Sequence, residues 1–152
     1  MDLFVFLIYL SACFTAAATG ALFPTGEWYK SLDKPIWTPP DWVFPIAWAI
    51  FYTVLAIVGA RVSNIDGNKY AVAFWSLHIA LNTLWTPVVF GARKLKAGMI
   101  IIVLLWLASA GTIYHTFVLD RFSGLIIMPY IIWVTFATAL NFSLVKRNPL
   151  EL

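Results

Sequence analysis

Polar and apolar positions segregate into long runs along this chain. Five stretches carry no Asp, Glu, Lys or Arg: residues 3–26, 42–60, 70–92, 97–119 and 122–145. A helix needs about 20 predominantly apolar residues to cross a bilayer. Each stretch therefore predicts one crossing, over approximately residues 3–23, 43–62, 70–90, 97–118 and 122–145. The expected fold is an all-α integral membrane protein: five transmembrane helices in a compact bundle, a single domain over residues 1–152, with one long loop between the first two spans. The first span follows Asp2 and lacks the basic leader of a cleaved signal, so it reads as a retained helix.

The connections add direction. Consecutive helices joined by short turns are antiparallel. Seven basic residues (Lys30, Lys34, Arg93, Lys94, Lys96, Lys146, Arg147) fall on the side of the first and third connections and the C-terminus, against three (Arg61, Lys69, Arg121) on the other. The positive-inside rule then predicts a cytoplasmic C-terminus and a non-cytoplasmic N-terminus. The only substantial loop, Phe23 to Asp41, reads FPTGEWYKSLDKPIWTPPD. Its prolines restrict the backbone, and Trp28, Tyr29 and Trp37 suit either the headgroup level or a cap over the bundle. No internal repeat is visible, which counts against a transporter built from inverted halves.

Composition agrees, with 62% hydrophobic and 11% charged residues and a mean hydropathy of +0.86. In such a chain a pI of about 9.1 does not point to nucleic acid. The spans hold no charged side chain of the kind that marks proton relays, ion pathways or voltage sensors. What they hold is aromatic. The second span places Phe44, Trp48 and Tyr52 at intervals of four, so their rings share one face. The third aligns His78, Asn82 and Trp85 ahead of Pro87, and the fifth aligns Pro129, Trp133, Ala137 and Leu140 or Asn141. Either these faces are packing and structural hydrogen bonds, or they wall a cavity for a flat, mostly apolar ligand with a few polar substituents. Two histidines, His78 and His115, and one cysteine, Cys13, predict no metal site, no required cofactor and no cysteine nucleophile. Single axial ligation of haem stays open.

Three blocks carry a resemblance: WTPPDWVFPIAWAIFY (Trp37–Tyr52), LNTLWTPVVFGAR (Leu81–Arg93) and PYIIWVTFATALN (Pro129–Asn141), preceded by EWYKSLDKP (Glu27–Pro35). In this order, across essentially the whole chain, they resemble the tryptophan-rich sensory protein and translocator protein family, also called the peripheral benzodiazepine receptor family. The resemblance implies a five-helix membrane protein that binds porphyrins such as protoporphyrin IX or haem. It also implies a pocket below the long loop formed by Ala21, Trp37, Phe44, Pro45, Ala47, Trp48, Tyr52, Asn82, Trp85, Trp133, Ala137 and Leu140. A homodimer is implied as well, for which the small residues Ala12, Ala16 and Gly20, or Ala73 and Ala80, offer a seam.

Two departures narrow this expectation. The cholesterol-recognition pattern of the animal members has a tyrosine where this chain has Phe142, which counts against cholesterol. Where animal members carry a tryptophan beside the drug site, this chain has Ala97. The expected function is a membrane receptor or sensor for protoporphyrin-like tetrapyrroles that modulates their level or passage. The alternatives are facilitated transport and light-dependent porphyrin degradation, the latter resting on Trp48 and Trp133. Besides the ligand, membrane lipid is the expected partner, and a bacterial inner membrane the expected location.

Overall fold

The computed structural model describes residues 2–150, which form helices and no strands. The helices are α1 (Leu3–Leu22), α2 (Gly26–Ser31), α3 (Val43–Val62), α4 (Lys69–Thr86), α5 (Leu95–Leu119) and α6 (Arg121–Arg147). A π-helical turn, Pro87–Gly91, continues α4. All except the short α2 are long and apolar enough to cross a membrane, so the protein is an all-helical integral membrane protein with five spanning helices.

Helices suit these runs because hydrocarbon offers a backbone no external hydrogen-bond partner. Hydroxyls within the spans obey the same constraint. Ser11, Thr53, Thr83, Ser109, Thr112 and Thr138 each donate to the carbonyl four residues earlier, at 2.7–2.8 Å. Asp2 starts α1 by accepting from the Phe4 amide at 2.8 Å.

The spanning helices close into a ring in the order α1, α3, α6, α5, α4. Its tightest seams are α5 with α6, α4 with α5, and α1 with α3. Each has a glycine where a large ring must fit: a methyl added at Gly59 of α3 would overlap the Tyr9 ring of α1, one at Gly111 of α5 would overlap Phe74 of α4, and one at Gly124 of α6 would meet the backbone of Phe117. Small residues at such crossings let membrane helices approach closely enough for dispersion to hold them. The seams of α3 with α6 and α1 with α4 are looser. The bundle is thus a tight pair, α1–α3, set against a tight trio, α4–α5–α6.

The end of the bundle away from the long loop is fastened by one polar knot. Asp120, the single residue between α5 and α6, accepts from the Phe122 amide at 3.2 Å and so caps α6. Arg61, in the last turn of α3, donates to the Asp120 carboxylate at 2.9 and 3.0 Å and to Ser123 Oγ at 3.0 Å. Ser123 Oγ also donates to Asp120, and the Arg61 guanidinium lies 5.1 Å from the Phe122 ring centroid.

The Ser123 hydroxyl and then the Arg61 guanidinium hold the Asp120 carboxyl below its ordinary value of 3.8 against the opposing effect of partial burial. A carboxyl depressed by folding contributes stability that is present above its unfolded pKa and lost as pH falls through its folded pKa. Thermal stability in detergent is therefore expected to hold from neutral pH down to about 4 and to fall below it. Asp120→Ala should cost about 1–2 kcal/mol at neutral pH by removing the cap and the knot together, and should flatten the acid limb. An acid limb unchanged in this variant would assign the loss to other carboxylates.

Candidate functional site

At the other end, below the connection between α1 and α3, pair and trio part around a cavity of about 530 Å³. That volume is in the range of pockets that hold drug-sized ligands. Its main wall is the α3 face anticipated from spacing: Phe44, Trp48 and Tyr52, with Trp48 stacked on Tyr52 at 5.3 Å between centroids and 24° between planes. Trp133 of α6 joins this wall, edge-on to Trp48 at 6.3 Å and to Phe44 at 5.9 Å. α4 adds Asn82 and Trp85, and the π turn adds Val89 and Phe90. Pro87 has no amide hydrogen to continue the α-helical ladder. The Ala92 amide bonds back to the Pro87 carbonyl across five residues at 2.8 Å, and the extra residue widens the turn.

Beneath the cavity floor runs a chain of side-chain hydrogen bonds. Tyr52 donates to Asn82 Oδ1 at 3.3 Å, Asn82 Nδ2 donates to the Tyr130 hydroxyl at 3.2 Å, and that hydroxyl lies 2.6 Å from His78 Nε2. The chain crosses α3, α4 and α6, and all four side chains are buried. It separates the cavity from a packed core of Cys13, Leu55, Ala56, Val58, Trp75 and Ile127. Three cavity-lining residues also contain buried polar atoms with no hydrogen-bond partner among the described residues: Trp85 Nε1, Trp133 Nε1 and Asn141 Oδ1.

The long loop is a docked cap. Tyr29 and Leu32, in and just after α2, are buried against Val89, Leu95, Leu140 and Leu144, and Tyr29 stands edge-on to Phe90 at 5.3 Å. Burial, and after it the charge of Asp41, holds the Tyr29 phenol above its ordinary pKa, so it packs as a neutral ring. Lys34 closes the C-terminal end of α2 by donating to the carbonyls of Tyr29 at 2.7 Å and Lys30 at 3.0 Å. Asn148, just past α6, grips the backbone of Asp33 at both polar atoms, accepting from its amide at 2.9 Å and donating to its carbonyl at 3.0 Å. Arg147 pairs with the Asp33 carboxylate at 3.3 Å.

Of the residues singled out from sequence, Ala21, Phe44, Pro45, Trp48, Tyr52, Asn82, Trp85, Trp133, Ala137 and Leu140 line the cavity. Trp37 and Ala47 do not. Trp37 is half exposed and lies edge-on to Phe136 of α6 at 5.6 Å. Neither histidine lines the cavity: His78 Nε2 faces Tyr130, and His115 stacks on Tyr70 and Phe74. Sequence reasoning missed Ile102 and Leu105 of α5 and Phe90 of the π turn, and named Tyr29 only as suited to the headgroup level or a cap, not as a lining residue. The fourth span marks its inner face by the series Ile102, Leu105, Ser109, Thr112 and Thr116 at three- and four-residue spacing, a polar signal that the sequence reading did not use. Phe90 falls one position beyond the four-residue series from Trp85 because of the π turn.

The profile of the TspO/MBR family matches residues 4–147. The chain is 50% identical to a protein named CrtK from Rhodobacter capsulatus, over 99% of this chain and 97% of that protein. It is 43% identical to the tryptophan-rich sensory protein of Cereibacter sphaeroides, over 97% of this chain and 94% of that one. It is 31% identical to the human translocator protein, over 85% of this chain and 81% of that protein.

The floor network makes Asn82 its keystone, since both tyrosine hydroxyls bond to it. Asn82→Leu strands them and is expected to cost about 1–3 kcal/mol, whereas Tyr52→Phe, which removes the terminal donor, should cost about 1 kcal/mol. Thermal unfolding in detergent reads both. Equal losses would mean the network is not organised around the amide.

Proposed function

This chain belongs to the TspO/MBR family, and from that premise we propose that it is a membrane receptor that holds a flat tetrapyrrole, protoporphyrin IX or a close relative, in the cavity under the cap. One observation carries the reading. A continuous run of aromatic rings, Tyr52 stacked on Trp48 and Trp133 edge-on to both Trp48 and Phe44, lines a cavity of about 530 Å³. Aromatic walls favour a planar π-system by offset or edge-on contact. The unpartnered indole N–H groups of Trp85 and Trp133 supply donors for its polar edges. The names of the relatives, a sensory protein and a translocator protein, accord with recognition followed by signalling or passage. The excess of basic residues at the capped end supports a cytoplasmic cap in a bacterial inner membrane.

A second reading, light- and oxygen-dependent breakdown of the bound porphyrin, is favoured by one feature: Trp48 and Trp133, the oxidisable indoles, are adjacent at the same wall. Multiple turnovers that need folded protein and vanish in Trp133→Phe with binding retained would establish it. Turnover equal to that of porphyrin in empty micelles would dismiss it.

The first test is an absorbance titration of protoporphyrin IX into the protein in detergent, in the dark, against empty micelles. Saturable, near-stoichiometric binding is expected. Trp48→Ala should weaken it about tenfold, from loss of ring contact and buried area. No protein-dependent binding would end the porphyrin reading. Among the described residues, Asp41 is the one charged side chain on the cavity lining. Its carboxylate repels the anionic substituents of protoporphyrin. Asp41→Asn is therefore expected to tighten protoporphyrin binding severalfold while leaving the uncharged dimethyl ester unaffected. An equal effect on both would remove charge as the cause.

A further inference from the structure

We propose that the cavity receives its ligand from within the membrane, through the gap between α1 and α3, and not through the cap. The inference rests on the cavity being a ligand site, as argued above, but not on the ligand being a porphyrin.

Besides Phe23, Pro24 and Asp41 of the loop, next to the ends of α1 and α3, the exposed residues on the cavity lining belong to two helices. The lining side chains of α4, α5 and α6 are buried or half-buried, whereas Ala17, Gly20 and Ala21 of α1 and Pro45 and Ala49 of α3 are exposed. One residue therefore belongs to the cavity wall and to the outer surface at once, and all such helical residues flank a single seam. Their side chains are small. A methyl built on Gly20 meets no atom within 4 Å, so this part of the seam is open space. Farther along, the same two helices shut completely, with Tyr9 seated on Gly59 and Cys13, Leu55 and Ala56 fully buried.

The opening lies at the right depth for lipid. α1 has 20 residues, which at 1.5 Å each match a hydrocarbon core of about 30 Å. Ala17 then sits about 7 Å inside the boundary, among acyl chains. Over α4, α5 and α6 the aqueous side is covered by contrast. Tyr29 and Leu32 are buried in the cap, and Asn148 holds Asp33 at both backbone polar atoms. A flat, apolar molecule is concentrated in the bilayer by the hydrophobic effect. A lateral opening lets it enter without first returning to water.

The test needs a reporter that works whatever the natural ligand is. In a Cys13→Ala background, Ala137→Cys places a thiol on the cavity wall of protein held in lipid nanodiscs. Its reaction with an apolar, membrane-partitioned maleimide is followed at fixed pH. Gly20→Leu, which fills the gap, is expected to slow labelling about tenfold, and Asn148→Ala, which loosens the cap, to leave it unchanged. Ala17→Phe serves as a second plug if Gly20→Leu does not fold. Labelling indifferent to a folded plug, or accelerated by Asn148→Ala alone, overturns the proposal. So does labelling that falls sharply when each disc holds two copies, because a second copy then covers the gap. In parallel, stopped-flow mixing with protoporphyrin IX should show a slower association in Gly20→Leu with equilibrium affinity changed less than the rate. If protoporphyrin does not bind at all, the porphyrin reading fails while the labelling result stands.

Discussion

Hydrocarbon gives helices no hydrophobic reason to associate, so this bundle depends on how closely its backbones can approach. That approach occurs where a ring meets a glycine: Tyr9 on Gly59, Phe74 on Gly111 and Phe117 over Gly124. These contacts fuse α1 to α3 and join α4, α5 and α6 into a second block. Because no comparable contact draws the two blocks together along their whole length, they meet closely at one end and part at the other. The cavity is the space left by that unequal approach.

Polar groups follow the same division. At the closed end they are arranged for strength, with Arg61, Asp120 and Ser123 in mutual contact beside the cap of α6. At mid-depth the chain from Tyr52 to His78 ties one block to the other and sets the floor. Above it, Trp85, Trp133 and Asn141 keep polar atoms without partners among the described residues. Buried polar groups are ordinarily paired; His78 Nδ1, in the floor network, is the fourth such atom among the described residues.

The spans could be read in the sequence because exclusion of charge from hydrocarbon acts residue by residue. The faces of α3 and α6 were legible for a related reason: once a segment is helical, Phe44, Trp48 and Tyr52 must share a side whatever surrounds them. What escaped depends on relations between segments. Phe90 reaches Tyr29 of the cap only because the π turn carries it past the four-residue series. Trp37 shares a block with wall residues yet lies against Phe136 and does not line the cavity. Ile102 and Leu105 continue the α5 series of Ser109, Thr112 and Thr116, but which neighbours that face meets is not set by local periodicity.

The π turn at Pro87–Gly91 also has a consequence for how the site could vary. An α-helix turns about 100° per residue, so one inserted residue resets the azimuth of everything after it. The tightly packed part of α4 and its cavity-facing end are therefore two registers of one helix. The direction in which Phe90 points is fixed by that extra residue, in the turn where Pro87 lacks the amide hydrogen an α-helical ladder needs. A single deletion in this turn would rotate the upper wall away from the cap while leaving the lower seam intact. Cavity shape and bundle integrity can thus change separately, though both are written on the same span.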